Sequence, residues 1–281
     1  MQSKKSASIE LPYTPSSFKE GRVQGLGHPD LISELKKMVL FPRQILGSKT
    51  VVYKEQPNLI LETRLLSSGE FPWVRQLVKQ FKWRGLQNFL LSPLRKSKAV
   101  KSYLAACHLL RHGLLTPVPL GAVECRSLGF IRYNIYVTEV IDDFMNLKQY
   151  RDRLPHGSQG MDEVLRNLAE YTRQMHDSGL LHRDLNLSNF LLQGEPGSFR
   201  LYLVDLNRAR FKPHLPYWKR AVDLSRLDLK EWQEPFFRYY CGDRLAPEAM
   251  LRIANLIRFR RRSWRQVAKR TNNVRKRIGL K

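Results

Sequence analysis

The chain has 281 residues, 42% of them hydrophobic, which is enough for one substantial core or for two small lobes sharing a cleft. Lysine and arginine number 49 against 25 acidic residues, so the formal net charge is +24. Such an excess indicates a polyanionic partner: nucleic acid, an anionic lipid surface or a phosphorylated substrate. The charge alone does not choose among these.

The cysteines and the apolar runs exclude further classes of protein, namely disulfide-rich, zinc-binding and membrane-spanning ones. The three cysteines are widely spaced and include no C-x-x-C pair, so they indicate neither a disulfide framework nor a zinc site and favour a reducing cytoplasm. No apolar run is long enough to span a bilayer, and residues 1–10 lack the apolar segment of a secretory signal. We therefore expect any membrane contact to be peripheral.

The first half of the chain predicts a small sheet with one helix. Residues 1–46 are rich in serine, proline, glycine and lysine, which predicts a partly ordered N-terminal extension with a short helix at 31–40. Strand-like runs and a helical apolar spacing follow. The predicted elements are strands at 50–53, 59–66 and 73–81, a helix at 97–112 capped by Gly113, and strands at 121–125 and 131–141.

The second half predicts helices. A long amphipathic helix is expected at 161–178, ending near Gly179, and the chain from residue 217 onward reads as mostly helical. Between these segments, the apolar runs 190–192 and 201–204 bracket a polar turn as in a hairpin.

The most informative motif lies at residues 182–189, which read HRDLNLSN and match the H-R-D-x-x-x-x-N loop of phosphoryl-transfer enzymes. In such a loop Asp184 accepts a hydroxyl proton, and Asn189 ligates Mg²⁺ through its amide oxygen. Asp205, at the end of the apolar run 201–204, supplies a second metal ligand. Each of these residues could instead serve a turn, a loop or a strand end, and that alternative stays open.

Phosphoryl transfer also requires a cation on the nucleotide phosphates. Lys79 is the candidate because it lies on the last strand before the first long helix, as the V-A-I-K lysine of kinases does. Lys82 and Lys54 are nearby alternatives. A solvent-exposed lysine on an edge strand is the structural alternative.

Several motifs in the same order resemble one family. They read LVKQF at 77–81, LRHGLLTP at 110–117, YVTE at 136–139, MHDSG at 175–179 and VDLNRA at 204–209. Over about residues 74–229 the chain resembles the lipopolysaccharide kinase family, kinase-fold enzymes that phosphorylate Kdo or heptose of the lipid A and inner-core region. The resemblance implies an α+β, two-lobed, protein-kinase-like fold. Its parts are an antiparallel-sheet N-lobe at 47–141, a mainly helical C-lobe at 142–257 and a basic helix or tail at 258–281.

The resemblance also implies roles for individual residues. Asp184 becomes the catalytic base, Asn189 and Asp205 hold Mg²⁺, and Lys79 pairs with the phosphates of ATP. The adenine-binding hinge is then formed by Glu139, Val140 and Ile141. The structural residues are Arg183, a packed His182, and Asp223, which is similar to the kinase helix aspartate that binds the catalytic loop, with a helix N-cap as its alternative.

Two departures from the kinase pattern stand out. Only Gln-Pro-Asn at 56–58 replaces a G-x-G-x-x-G loop, so we expect weak nucleotide affinity. The helix glutamate that holds the strand lysine is also missing, because Ser102 stands at its position and residues 71–123 contain no acid. Lys79 is then expected to lack a partner, unless Glu62 or Glu70 supplies one.

The sequence therefore predicts an ATP- and Mg²⁺-dependent phosphotransferase acting on a sugar hydroxyl of a lipopolysaccharide core or lipid A-linked glycolipid. The expected partners are this or another phosphorylated glycolipid and an anionic membrane surface at the cytoplasmic face of the inner membrane, which the arginines of 258–262 and Trp264 favour. A nucleic-acid partner is not expected, since no recognisable module is present. A weak pseudokinase or regulatory scaffold and a kinase of another small or protein acceptor stay open.

Overall fold

The computed structural model describes residues 11, 13–40, 51–55, 58–65, 74–82, 89–154, 160–194, 197–243 and 246–277. These residues form two compact units. The first unit runs to Leu147 and also includes Asn189–Arg210, and the second comprises Lys148–Ser188 and the chain from Phe211 onward.

A seven-stranded antiparallel sheet forms the frame of the first unit. Its strands in chain order are β1 (Ser16–Glu20), β2 (Val23–Gly27), β3 (Val51–Lys54), β4 (Leu59–Leu65), β5 (Val74–Gln80), β6 (Pro119–Ser127) and β7 (Phe130–Glu139). Their spatial order is β1-β2-β6-β7-β5-β4-β3. The five strands β3 to β7 confirm the sequence prediction to within two residues at most of their ends.

Two helices pack on opposite faces of this sheet. Helix α1 (Ile32–Leu40) buries Leu35, Met38 and Val39, and these side chains join a core that includes Val123 of β6. Helix α2 (Lys98–Arg111) packs on the core that includes Ala122, the neighbouring residue of the same strand. Because successive side chains of a strand point to opposite faces, the two cores lie on opposite sides of the sheet.

The ends of α2 follow from the sequence. The Ser97 hydroxyl accepts a hydrogen bond from the backbone N–H of Val100 at 3.1 Å and so caps the first turn. Gly113 has a φ of 71°, a left-handed conformation that glycine adopts without strain, and Leu114 N donates to Leu109 O at 2.9 Å. The predicted helix and its glycine cap are therefore confirmed.

Five short strands complete the fold: β8 (Phe144–Asn146), β9 (Leu180–Leu181), β10 (Phe190–Gln193), β11 (Arg200–Leu203) and β12 (Arg210–Phe211). The predicted hairpin is confirmed as β10 and β11, which pair antiparallel with Phe190 opposite Leu203. Leu203 is joined to the rest of the first unit because its N–H donates to Leu115 O at 3.0 Å and its carbonyl accepts from the Thr116 hydroxyl at 2.7 Å.

The second unit is mainly helical. Its helices are α3 (Leu147–Arg153), α4 (Gly160–Asp177), α5 (Tyr217–Leu224), α6 (Gln233–Cys241) and α7 (Pro247–Arg277). Helix α4 buries one apolar stripe, as its sequence period predicts. Gly179 follows it with a φ of 84°, and a Cβ there would collide with the carbonyl oxygen of Lys212. Among the described residues no helix is both long and apolar enough to cross a membrane.

The expectation that residues 1–46 form an extension is wrong for 16–40. Strands β1 and β2 lengthen the sheet, since β2 pairs with β6 from Val23 opposite Cys125 to Gly27 opposite Gly121. The side chain of Leu35 on α1 is fully buried. The sequence of this segment resembles a loop, since it contains glycines at 21, 25 and 27 and since β1 is largely exposed. The strand with which it pairs lies about a hundred residues later in the chain, so no local pattern indicates the pairing.

Two other boundaries also differ from the expected ones. Residues 189–210 belong to the first unit and not to the lobe expected at 142–257. The basic helix begins at Pro247, well before residue 258, and its first half is fixed to the second unit. There Arg258 donates to Leu227 O at 2.9 Å and to Gln233 Oε1 at 2.5 Å.

Candidate active site

A cavity of about 380 Å³ lies in the first unit, and its size is within the usual range for small-molecule sites. One wall consists of sheet residues and another consists of residues around the β10–β11 hairpin. Three of the predicted site residues, Lys79, Asn189 and Asp205, line this cavity together. The remaining lining is largely apolar and includes Ile60, Leu77, Tyr136, Leu191, Val204 and Leu206.

The sheet register places Lys79 in this cavity. Lys79 on β5 lies between Ile60 of β4 and Tyr136 of β7, and Leu77 two residues earlier lies opposite Thr138. Side chains two residues apart on a strand share a face, so all of these residues line one side of the sheet. The alternating residues Gln76 and Val78 are buried on the opposite side.

Lys79 is paired with Asp205 and not with a helix acid. The Lys79 Nζ atom lies 2.6 Å from Asp205 Oδ1, and the two side chains are 16% and 33% exposed. The expectation that Lys79 lacks a partner is therefore wrong. Asp205 also accepts a hydrogen bond from the Asn207 amide, and its φ of 63° is in the left-handed region that few non-glycine residues adopt. Such strain is common at functional sites.

The other residues considered as a partner for Lys79 or as the phosphate-binding cation take different positions, and two of them, Ser102 and Lys54, line the same cavity. Glu62 accepts from Arg75 Nε at 2.6 Å, and Glu70 lies outside the described residues. Ser102, at the position of the missing glutamate, lines the cavity and donates to Lys98 O at 2.9 Å. Lys82 donates to Glu55 O at 3.0 Å, whereas Lys54 lines the cavity as Lys79 does. Of the segment 56–58, Asn58 lines the cavity and the other two residues lie outside the described part.

Asn189 reaches the cavity because it ends a short turn at Leu187–Asn189. Its carbonyl accepts from Val204 N at 2.9 Å, which fixes it beside the strand end that carries Asp205. The amide and carboxylate oxygens of Asn189 and Asp205 fit Mg²⁺, which is usually held by one or two carboxylates together with substrate phosphates. Among the described residues, no group of three or more histidine, cysteine, aspartate or glutamate side chains is arranged to hold a metal ion.

The predicted hinge follows the cavity wall along β7. Thr138 is among the described lining residues, whereas Glu139, Val140 and Ile141, the next three residues, are not. Glu139 N donates to Val118 O at 3.1 Å, and burial raises the pKa of the Glu139 carboxyl above its ordinary value. The assignment of these three residues to an adenine hinge stays a prediction.

Asp184 belongs to the second unit, on the loop between β9 and the turn at Leu187. Its side chain is 30% exposed, and its Oδ1 atom lies 3.8 Å from Arg226 Nη1. Asp184 N donates to the ring of the buried His182 at 3.3 Å, and Asn186 Nδ2 donates to Asp184 O at 3.0 Å. Arg183 has a φ of 64°, so the loop turns sharply just before Asp184.

The side chain of Asp223 holds this loop through hydrogen bonds from the backbone of the loop. The two carboxylate oxygens of Asp223 accept from His182 N and Arg183 N, each at 2.8 Å. Asp223 lies near the end of α5, whose N-cap is Pro216, so the alternative role as an N-cap is wrong and the structural role is confirmed. His182 is fully buried, as expected of a scaffold histidine.

The pKa of Asp223 reflects opposing effects. Burial acts to raise it, but the hydrogen bond and charge of His176, with smaller contributions from His182, bring the pKa below its ordinary value. His176 itself lies 3.4 Å from Asp223 through Nε2 and 2.7 Å from the Tyr240 hydroxyl through Nδ1. The loop anchor is therefore a charged, buried network that reaches three helices.

Sequence reasoning did not identify Arg226 or the pairing of Lys79 with Asp205. Arg226 lies in no motif, and only its place in the turn after α5 brings it near Asp184. By contrast, Tyr136 and Thr138 could have been identified as lining residues, because the alternation of β7 and the position of Lys79 together select them.

The fold resembles that of a solved structure. A structure described as WaaP in complex with acyl carrier protein superimposes with a TM-score of 0.61 at 19% sequence identity, covering 84% of this chain and 97% of that one. At this identity the likeness shows the fold, which is the expected two-lobed, protein-kinase-like one.

Curated relatives are similar over part of their length. The 3-deoxy-D-manno-octulosonic acid kinase of Actinobacillus succinogenes is 29% identical over 159 residues, 55% of this chain and 63% of that protein. The enzyme of the same name from Mannheimia succiniciproducens is 24% identical over 50% of this chain and 55% of that protein. A probable bifunctional tRNA threonylcarbamoyladenosine biosynthesis protein of Methanosarcina barkeri is 32% identical, but over only 17% of its length.

A sequence profile covers the region that contains the cavity and the loop of Asp184. The profile of the lipopolysaccharide kinase (Kdo/WaaP) family matches residues 74–239, more than half of the chain. This protein is therefore a member of the lipopolysaccharide kinase (Kdo/WaaP) family.

Proposed function

We propose that the protein transfers the γ-phosphoryl group of ATP to a sugar hydroxyl of a lipopolysaccharide core or lipid A-linked glycolipid, with Kdo or heptose as the acceptor sugar. The observation that carries this proposal is the cavity in which Lys79, Asn189 and Asp205 meet. Family membership supports the acceptor class, and two relatives are named as kinases of 3-deoxy-D-manno-octulosonic acid.

In this function the apolar part of the cavity encloses the adenine and the polar end receives the phosphates. Glu139, Val140 and Ile141 are proposed as the hinge beside the base. Lys79 binds the phosphates, and it exchanges its contact with Asp205 for them when the nucleotide enters. Mg²⁺, held by Asn189 and Asp205, would neutralise the negative charge on the β- and γ-phosphates.

The proposed role of Asp184 is that of the base. It accepts the proton of the acceptor hydroxyl while the sugar oxygen bonds to the γ-phosphorus and the bond to the β–γ bridging oxygen breaks, so that ADP leaves. The clamp of Asp223 on His182 N and Arg183 N keeps the Asp184 backbone in place, and positioning is most of what a protein contributes to this reaction.

The test is Mg²⁺-ATP turnover against a panel of core-deficient lipopolysaccharide acceptors. We expect Asp184→Ala and Asp205→Ala each to lower kcat by at least about 100-fold, the usual effect of losing a general base or a metal ligand. Asp243→Ala, at an exposed aspartate of the second unit, is the control and should stay within about twofold of wild type. Equal activity of the wild type and both site variants would dismiss the catalytic assignment.

A catalytically weak pseudokinase or scaffold is the second candidate. Two observations favour it: Ser102 stands where kinases have the helix glutamate, and Asp205 occupies Lys79 in its place. This candidate predicts that ATP raises the melting temperature while no acceptor in the panel gains phosphate. Measuring both quantities on one preparation separates the two functions.

We also propose that the protein attaches peripherally to the cytoplasmic face of the inner membrane through α7. Arg258 and Arg261 on one side of this helix bind the second unit, the latter through a 2.7 Å contact with Ser225 Oγ. The opposite side exposes apolar side chains beside arginines: Leu256, Phe259, Arg260, Trp264 and the flanking Arg262. Exposed aromatic and basic residues on one helix are typical of binding to anionic headgroups.

A further inference from the structure

Arg226 lies beside the proposed base. Its Nη1 atom is 3.8 Å from Asp184 Oδ1, which is too long for a hydrogen bond but close enough for charge attraction. The two side chains are 29% and 30% exposed, so both are open to a molecule arriving from solvent. A cation therefore stands next to the carboxylate that is proposed to take the acceptor proton.

The backbone fixes this position. Arg226 N donates to Asp223 O at 3.1 Å, in the turn that ends α5. The side chain of the same Asp223 binds His182 N and Arg183 N, so one residue holds both the loop of Asp184 and the start of the Arg226 side chain. Asp223 therefore fixes the backbones from which the side chains of Arg226 and Asp184 extend.

The guanidinium of Arg226 is not saturated by the protein. Its Nε atom is buried and has no hydrogen-bond partner among the described residues. Other arginines of this unit are used differently: Arg258 and Arg261 donate to backbone carbonyl groups and polar side chains. A buried donor without an acceptor is rare in native proteins, and a bound water or ion is one of its ordinary explanations. Because Nε is buried, the Nη atoms of this 29% exposed side chain are the donors open to an arriving molecule.

We infer that Arg226 binds a carboxylate of the acceptor, next to the hydroxyl that gives its proton to Asp184. This inference rests on the proposed function, because it takes Asp184 as the residue that faces the acceptor. A guanidinium donates two parallel hydrogen bonds to a carboxylate and keeps its charge at every physiological pH. A sugar acid offers such a group and a neutral heptose does not, so Arg226 selects an acidic sugar.

The sharpest test compares two ligands that differ only in the anion. Binding of free 3-deoxy-D-manno-octulosonic acid and of its methyl ester is measured by isothermal titration calorimetry on the full chain, without nucleotide. Wild type should bind the acid at least about tenfold more tightly than the ester, since a site that expects a charged partner rejects the analogue that lacks it. Equal affinities, or no binding of the acid, would overturn the inference without any variant.

Variants assign the preference to this residue. Arg226→Met should bring the affinities for acid and ester to within about twofold, while Arg226→Lys keeps part of the preference, since an ammonium retains charge but not the fork. Arg238→Met, at an exposed arginine of α6, is the control and should behave as wild type. A third ligand, heptose 7-phosphate, separates the two anions: dependence on Arg226 for the phosphate but not for the acid would refute the carboxylate.

Turnover provides the second measurement. With acid and ester acceptors, Arg226→Met should raise KM for the acid by about tenfold and leave KM for the ester unchanged. A fall of kcat by the same factor for both acceptors would show instead that Arg226 positions Asp184. If the wild type transfers phosphate to no sugar while the calorimetric difference between acid and ester stands, the proposed function fails and the binding role of Arg226 survives.

Discussion

The Lys79 ammonium and the Asp205 carboxylate neutralise each other across 2.6 Å, in a cavity that a nucleotide would enter. In protein kinases a helix glutamate holds the strand lysine and leaves the metal-binding aspartate to its ion. Here α2 offers Ser102 at that position, so the aspartate serves the lysine instead. Nucleotide binding must then replace this ion pair, which is a physical reason to expect modest affinity.

Substitution of the lysine tests its role. We expect Lys79→Met to lower kcat/KM for ATP by about 100-fold, because the phosphates lose the cation that faces them and Asp205 loses its partner. Lys82→Met removes a lysine that donates to Glu55 O, and it should change the constant less than about threefold. Initial rates over a range of ATP concentrations measure both. A larger loss in Lys82→Met would move the assignment to that lysine.

The anchoring of the Asp184 loop by Asp223 predicts a pH dependence of stability. Because the pKa of Asp223 is lowered in the folded protein, its ionised form stabilises the fold above the pKa of the unfolded state, about pH 4, and this stability is lost as the pH falls through the lower folded value. Asp223→Asn should therefore cost about 2 kcal/mol at pH 7, and the difference from wild type should shrink below about pH 4. Urea unfolding at several pH values gives the two curves. Parallel curves would show that the charge of Asp223 plays no part.

The residues proposed to carry the chemistry could be selected from the sequence, but their contacts could not. The spacing of the motif selects Asp184, Asn189 and Asp205, and the position before a helix selects Lys79. The pairing of Lys79 with Asp205 joins positions more than a hundred residues apart, and no local pattern encodes such a contact. The contact of Arg226 with Asp184 is equally hard to predict from the sequence, since only the turn after α5 brings the two residues together.

At the scale of elements, the regular interior was predictable and the edge of the sheet was not. Strands β4, β5 and β7 alternate or run apolar, and α2 and α4 show a helical period with capping residues at their ends. Strands β1 and β2 are short, polar and interrupted by glycine, so their sequence carries no such period. They are strands because β6 offers a free edge, which is a long-range effect.

Helix α1 gives the test of this correction. Leu35→Ala should lower the free energy of unfolding by about 3 kcal/mol, because the side chain is fully buried against the sheet and the void cannot collapse easily. Gly27 makes room for it, since a Cβ there would lie 2.8 Å from Leu35 Cδ1. Lys37→Ala, two residues later on the exposed side, should cost less than about 0.5 kcal/mol. If Leu35→Ala left the free energy of unfolding unchanged in chemical denaturation, residues 16–40 would be an extension and not part of the core.

At the scale of the whole molecule, the net charge of +24 favours a polyanionic partner. Part of that charge is used internally, as Arg258 and Arg261 show, so the count overstates the free basic surface. The apolar side chains on the exposed side of α7, with Phe259 69% and Trp264 65% exposed, favour the proposed lipid surface over other polyanions, because a membrane surface offers both charged headgroups and an apolar interior.

Vesicle binding tests that surface. Arg260→Gln with Arg262→Gln should weaken binding to vesicles containing phosphatidylglycerol by roughly 2 kcal/mol, about 1 per basic residue, and 0.5 M salt should release the wild type. Phe259→Ser with Trp264→Ser should weaken binding that persists in salt. Arg200→Gln with Lys212→Gln, both exposed and elsewhere, is the matched control. Flotation of the protein with these vesicles measures the binding of all three double variants. An equal loss of binding in the control pair would show that net charge alone, and not this surface, determines the binding.

Every described side chain around the nucleotide cavity comes from the first unit, whereas Asp184 and Arg226 come from the second. Under the proposed function, the groups that hold the phosphate donor and those that select the acceptor therefore belong to different units, and the second unit consists of two segments, 148–188 and 211–281, on either side of residues 189–210. Chimaeras that exchange both segments between homologues should inherit the acceptor preference of the parent that supplied them.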